Sequence, residues 1–154
     1  MGEKKVTGRK RHILVDTEGN LLMAIVHAAD IRDADGADWV LESARTKLSR
    51  LRHLWADSGY RGELVEYWET EHAITIEVVG KQPGQTTFIV APRRWVVERT
   101  FGNLGRSRRL AKDYEREDIY SESMVYLASI QTLLRRLAPD AATASRYRTS
   151  SAAA

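Results

Sequence analysis

Arg52-His53-Leu54-Trp55-Ala56-Asp57-Ser58-Gly59-Tyr60-Arg61-Gly62 is the stretch on which the reading of the fold turns. Its apolar run is too short for a helix and is stopped by Ser58-Gly59, which predicts a short buried strand ending at Asp57. Helical patterns flank it. Upstream, Trp39, Val40, Ala44 and Leu48 recur at helical spacing and predict a helix over 37–49; downstream, 62–71 is amphipathic. A strand between two helices belongs to an α/β domain and is expected to lie parallel to a neighbour. Ligands collect in the crevice outside the carboxyl ends of such strands, so Asp57 is placed as a rigidly held carboxylate within reach of solvent.

Further out, 12–16 and 21–27 are apolar runs around Thr17-Glu18-Gly19-Asn20 and read as an antiparallel hairpin. Residues 30–38 read as a polar loop with several Asp residues, and 74–79 alternates like a strand. After a loop over 80–87, Pro92 can open a long helix through Arg109, weakened at Gly102 and Gly105. A second helix over 118–137 carries Ile119, Val125, Leu127, Ile130, Leu133 and Leu134, and Pro139 closes it. Residues 1–137 thus form one mixed-sheet α/β domain, and the small polar tail 138–154 is expected to be disordered.

Composition excludes several classes of function. The chain of 154 residues has no cysteine, which removes disulfides, thiolate metal sites and cysteine nucleophiles. Its four histidines show no close ligand spacing, so no histidine metal site is expected. No apolar run suggests a membrane span and the basic start is no secretory signal, so a cytoplasmic protein is expected. The net charge of +3 hides segregation: residues 93–116 carry eight basic and three acidic side chains, and residues 1–12 five basic and one acidic. Charge gathered in two places points to a polyanion.

Glu98 is the second chemistry-bearing residue. It sits in Arg93-Arg94-Trp95-Val96-Val97-Glu98-Arg99-Thr100-Phe101, where a helix would put Arg94, Glu98, Gly102 and Arg106 on roughly one face. Such a helix can set Glu98 opposite Asp57. Paired carboxylates suit hard cations, and Mg²⁺ or Mn²⁺ so held stabilises both the attacking and the leaving oxygen of a phosphodiester displacement. Nearby arginines can grip the phosphates in bidentate fashion.

Three stretches, GRKRHILVDTEGNLLMAIVHAADIRDADGA over 8–37, LWADSGYRG over 54–62 and PRRWVVERTFGNLGRSRRLAKDYER over 92–116, occur in the order found in insertion-sequence DDE transposases. The sequence resembles the IS-four/IS-five grouping of that family. The resemblance implies an RNase H-like mixed sheet flanked by helices, with Asp57 as the second and Glu98 as the third acid of the catalytic triad, both ligands to Mg²⁺ or Mn²⁺. The family's tyrosine–arginine–glutamate–lysine pattern maps onto Arg94 and Glu98, with Arg106 one position past the usual lysine. DNA contacts are expected from Arg94, Arg99, Arg106, Arg108, Arg109 and Lys112, and a homo-oligomer from the intact enzyme.

In the family the first Asp lies on a strand ahead of the basic 8–12 segment, so the expectation is a fold lacking that strand, its acid and any upstream DNA-end-binding region. Asp16 belongs to the hairpin turn, and Asp30, Asp33 and Asp35 match no catalytic position. Two functions follow: an incomplete DNA-cleaving and strand-joining domain, or an inactive DNA-binding fragment that competes with intact transposase. An RNase H-like nuclease or resolvase of other biology is a third.

Replacing Arg106, Arg108 and Arg109 together with Ala is expected to weaken binding to every duplex alike. It should also flatten the dependence of log K on log salt by about 0.9 for each phosphate that is no longer neutralised. Binding isotherms over a salt series check this, and unchanged affinity at low salt would reduce the basic segment to a solvated face.

Overall fold

The computed structural model describes residues 8–80 and 93–138. Residues 139–154 of the expected tail and 81–87 of the expected loop lie outside the described residues, as does Pro92. The antiparallel hairpin forms, from β1 (Arg9–Val15) and β2 (Leu21–Ala28), with His12 opposite Ile25 and Lys10 opposite His27; β1 begins within the basic segment, ahead of the apolar run read at 12–16, and ends before Asp16. The strand ending at Asp57 is β3 (His53–Asp57), and it runs parallel to β4 (Thr75–Val79). The helices are α1 (Asp33–Lys47), α2 (Glu63–His72), α3 (Arg94–Gly105) and α4 (Asp118–Leu137).

Several boundaries differ for physical reasons. The helix expected from residue 37 begins at Asp33, so much of the expected polar loop is its first turn, where Asp33 and Asp35 favour the positive end of the helix dipole. The long helix expected to run to Arg109 stops at Gly105, and the chain continues as a short 3-10 turn, Arg108–Leu110. The strand expected to be buried is only half so: Leu54 points inward while His53, Trp55 and Asp57 are exposed.

The sheet differs most. Among the described residues there is no single mixed sheet but two separate pairs, β1 with β2 and β3 with β4. β2's outer edge is closed by side chains of α4, since the Ala24 amide donates to Tyr126 Oη and the Val26 amide to Glu122 Oε1, both at 3.0 Å. The edges of β1 and β3 away from their partners have no strand beside them among the described residues.

α1 packs on both pairs. Val40 and Ala44 join Met23 of β2, whereas Leu41 joins Leu54, Trp68, Ile74 and Ile76 around β3 and β4. Trp68 of α2 is fully buried, and its indole N–H donates to Asp38 Oδ1 at 2.8 Å, locking α2 to α1. The other face of β2 receives α4, where Val125 and Ala128 meet Ala24 and Leu104. α4 seats itself through its smaller residues, Ser121, Val125 and Ala128, which permit close approach. The longer Ile119, Leu127, Ile130 and Leu134 stay exposed.

Gly36 sits where α1 crosses the hairpin. A Cβ there would lie 2.3 Å from His27 Nε2 and 2.6 Å from His12 Nε2, both ring atoms held in place by their strands. Gly36→Ala is therefore expected to destabilise the chain by about 1–3 kcal/mol despite the better helix propensity of Ala. Urea unfolding with an unchanged m-value checks the figure; a stabilised variant would show that the imidazoles yield freely.

Candidate active site

Asp57 and Glu98 come from different elements and line the same cavity, of about 350 Å³. Asp57 is delivered by the last residue of β3, where the apolar run ends and the strand's alternation turns it away from the core. Glu98 is delivered by the second turn of α3, between Val97 and the exposed Phe101. The cavity opens between the two strand pairs: Arg11, His12, Ile13 and Leu14 of β1 line one side, and Leu54 to Asp57 of β3 the other. Its apolar lining, which includes Val40 and Leu41 of α1, gives a low-dielectric wall next to two carboxylates.

Asp16 is not part of this arrangement. Its carboxylate accepts the backbone N–H groups of Glu18 and Asn20, each at 2.9 Å, and the Asn20 amide at 2.8 Å. Partial burial pushes its pKa up, but these hydrogen bonds outweigh burial and hold it below the usual carboxylate range. It is the anchor of the hairpin turn.

The cationic residues divide. Arg106, Arg108 and Lys112 are exposed, and Lys112 shares a shallow concavity with Arg9 and Arg11. Arg109 is paired with Glu115 at 2.7 Å. Arg99 donates to the Glu18 carbonyl at 2.5 Å and lies 4.5 Å over the Trp95 ring, so much of its hydrogen-bonding capacity goes to the hairpin turn. Arg94 opens α3, and its side chain lies outside the described residues. The basic start is spent internally where it is described. Arg9 pairs with Asp113 at 2.9 Å and with Asp118, Lys10 pairs with Asp33 at 2.9 Å, and Arg11 donates to the Leu110 carbonyl at 3.3 Å. The capacity of that segment to hold a polyanion is thereby reduced.

Sequence reading missed the group that fixes the turn after Asp57. The chain leaves β3 through a 3-10 turn, Ser58–Tyr60, and the Tyr60 phenol shares a 2.9 Å hydrogen bond with His12 Nδ1 on β1. His12 stacks on His27, ring centroids 4.8 Å apart. His27 Nδ1 lies 2.8 Å from the Ala28 carbonyl, which can only accept, so that nitrogen carries the proton. The two histidines are fifteen positions apart in the chain, but the hairpin register makes them diagonal neighbours on one face. That register was the available signal. Among the described residues no three His, Cys, Asp or Glu side chains gather as a metal cluster. The histidine pair is a packing and hydrogen-bonding device that ties β1 to the end of β3.

The chain matches known proteins over most of its length. Residues 2–132 match the family described as transposase DDE domain. A protein named as a transposase for insertion sequence element IS402 of Burkholderia cepacia is 31% identical over 116 residues, covering 71% of this chain and 54% of that protein. The chain therefore spans about half the length of the curated relative it matches. No solved structure matches. Among the described residues no helix is long and apolar enough to cross a membrane.

Burial, then the neighbouring His27, pushes the His12 pKa below its ordinary value; Asp33 opposes this and Lys10 adds to it. The unfolded chain then binds that proton more readily, so stability is full above about pH 6.5 and declines as the pH falls below it. Urea unfolding at several pH values should show this decline, reduced in His12→Gln. Tyr60→Phe should cost about 1 kcal/mol at neutral pH. A pH profile identical in wild type and His12→Gln would remove His12 from the account.

Proposed function

The chain belongs to the DDE-domain transposases, and on that premise we propose that it forms the larger part of a catalytic domain that cuts DNA at an element's ends and joins the freed strands to a target. The observation that carries this reading is the convergence of Asp57 and Glu98 on one cavity between the two strand pairs. Arg106, Arg108 and Lys112 are the exposed cations that would hold the phosphate backbone, Arg109 and Arg99 contributing what their internal pairs leave over. The intact enzyme would act as a homo-oligomer on DNA in the cytoplasm.

The two strand pairs support an RNase H-like sheet whose central strand is not among the described residues. An extended segment lying in the cavity would find β1 on one side and β3 on the other, join the pairs into one mixed sheet, and bring its own acid beside Asp57. Asp57 and Glu98 offer carboxylate oxygens, the donors that Mg²⁺ and Mn²⁺ prefer, so the residues present fit a hard divalent cation as an incomplete ligand set. When bound, such a cation supplies Lewis-acid stabilisation of the attacking and leaving oxygens. The chain's own part is to fix the two carboxylates on rigid elements, keep the cavity wall apolar, and hold the turn after Asp57 through Tyr60 and His12.

By itself the chain is expected to show no DNA cleavage above background with Mg²⁺ or Mn²⁺. Adding an acid-bearing extended segment, fused ahead of the chain or as a separate peptide, should restore metal-dependent nicking of DNA carrying the element's ends. In the completed enzyme Asp57→Asn and Glu98→Gln should each abolish cutting and leave DNA binding nearly intact, whereas Asp16→Asn should do little. Cutting by the unassisted chain that depends on Asp16 would overturn the assignment. A completed chain that binds DNA and blocks intact transposase without cutting would instead make it an inactive competitor.

A further inference from the structure

β3 alternates cleanly. Leu54 enters the core, while His53, Trp55 and Asp57 share the opposite face. Trp55 and Asp57 are therefore about 6.6 Å apart along the strand and on one side of it. Helices α1 and α2 cover the inward face through Leu41 and Trp68, but the outward indole of Trp55 keeps 39% of its surface exposed. Its register partner on β4 is Glu77, not an apolar residue, and Glu77 is turned toward His53 Nε2 at 3.3 Å. Around the indole stand the His53 ring, 4.6 Å away and tilted by 55°, and the Arg93 guanidinium, 4.7 Å from the ring centroid. Arg93 occupies the left-handed region at φ 74°, uncommon for a residue other than glycine, at the start of the helix that carries Glu98.

Other tryptophans in the chain are differently placed. Trp68 is buried with its N–H satisfied, and Trp95 has the same kind of arginine partner but does not line the cavity. Trp55 and Arg93 line it together with Asp57 and Glu98. An exposed indole with a planar cation over its face, beside two carboxylates, matches the chemistry of a nucleobase next to its phosphate. Bases stack on aromatic rings and on guanidinium planes without regard to sequence. Paired bases within a duplex have their faces occupied by their neighbours, so the ligand of such a platform is an unpaired base.

Resting on the DNA-cutting reading of the cavity, we propose that Trp55, with Arg93, is a stacking platform for an unpaired nucleobase adjoining the phosphate processed at Asp57 and Glu98. The indole would hold the base and thereby fix the reach of its phosphate toward the carboxylates. Arg93 would lie on the base or turn its fork to the backbone.

The test is a titration of the chain, at low salt, with a short duplex whose single-stranded overhang carries 2-aminopurine, against a blunt duplex of the same sequence. Stacking quenches the 2-aminopurine emission, and the overhang should bind about tenfold tighter than the blunt duplex. Trp55→Leu, which keeps an apolar side chain on the strand, should lose both the quench and the preference. Trp55→Phe should retain most of each, and Trp95→Leu should change neither. Absence of a quench with the unaltered chain, or a quench that survives Trp55→Leu, overturns the platform. If the blunt duplex binds but the overhang has no advantage, stacking alone fails and the DNA-cutting reading stands. If neither DNA binds, both fall.

Discussion

The architecture hangs on α1. No backbone ladder runs from one strand pair to the other among the described residues, so side chains must join them, and α1 presents different residues to each. Val40 and Ala44 face the hairpin, Leu41 faces the parallel pair, and Ala44 is completely buried where a larger residue would force the helix off the sheet. Gly36 lets the same helix begin directly against the two stacked imidazoles. Small residues at these crossings set the distance between layers, and the layers in turn set the mouth of the cavity. α3 adds a second tie, through Arg99 and Thr100 to the hairpin turn, and Arg93 just ahead of it reaches Trp55.

That frame explains why acidic residues similar in sequence have different uses. Asp16 and Asp57 each follow an apolar run and precede a turn. Asp16 turns back on its own loop and is consumed by three hydrogen bonds from it. Asp57 leaves a parallel strand whose connection goes away over the sheet, so it stands at the crevice with Glu98. Asp33 is different again: it opens α1 and neutralises Lys10. Connection geometry, rather than composition around the residue, separates the three.

Much of this was legible in the residues because the signals were local. Hairpin turn chemistry, the strand stopped by Ser58-Gly59 and the limits of α4 each depend on a few neighbours in sequence, and each agrees with the structure. The separation into two pairs was not visible from periodicity, since pairing between distant strands is decided by which edges meet. The exposure of Trp55 escaped for a related reason: a short apolar run looks buried on both faces until the covering helices are placed. In α4 spacing gave the helix but not the face, because close approach to β2 favoured Ser121 and Ala128 over the larger aliphatic residues. Both Asp57 and Glu98 were legible as candidates, whereas Tyr60, Arg93 and the paired histidines needed the register and the packing.

A sheet divided at a cavity also has a consequence for cooperativity. Hydrogen bonds transmit order along a ladder, and where the ladder is interrupted the two sides can open at different free energies. The hairpin with α4 and the parallel pair with α2 each own a cluster of buried side chains, and α1 is the element common to both. The chain thus has the makings of two folding units sharing one helix. Any segment that became a strand between them would hydrogen-bond on either side and also merge two local equilibria into one, so that completing the site and making the fold cooperative would be a single event.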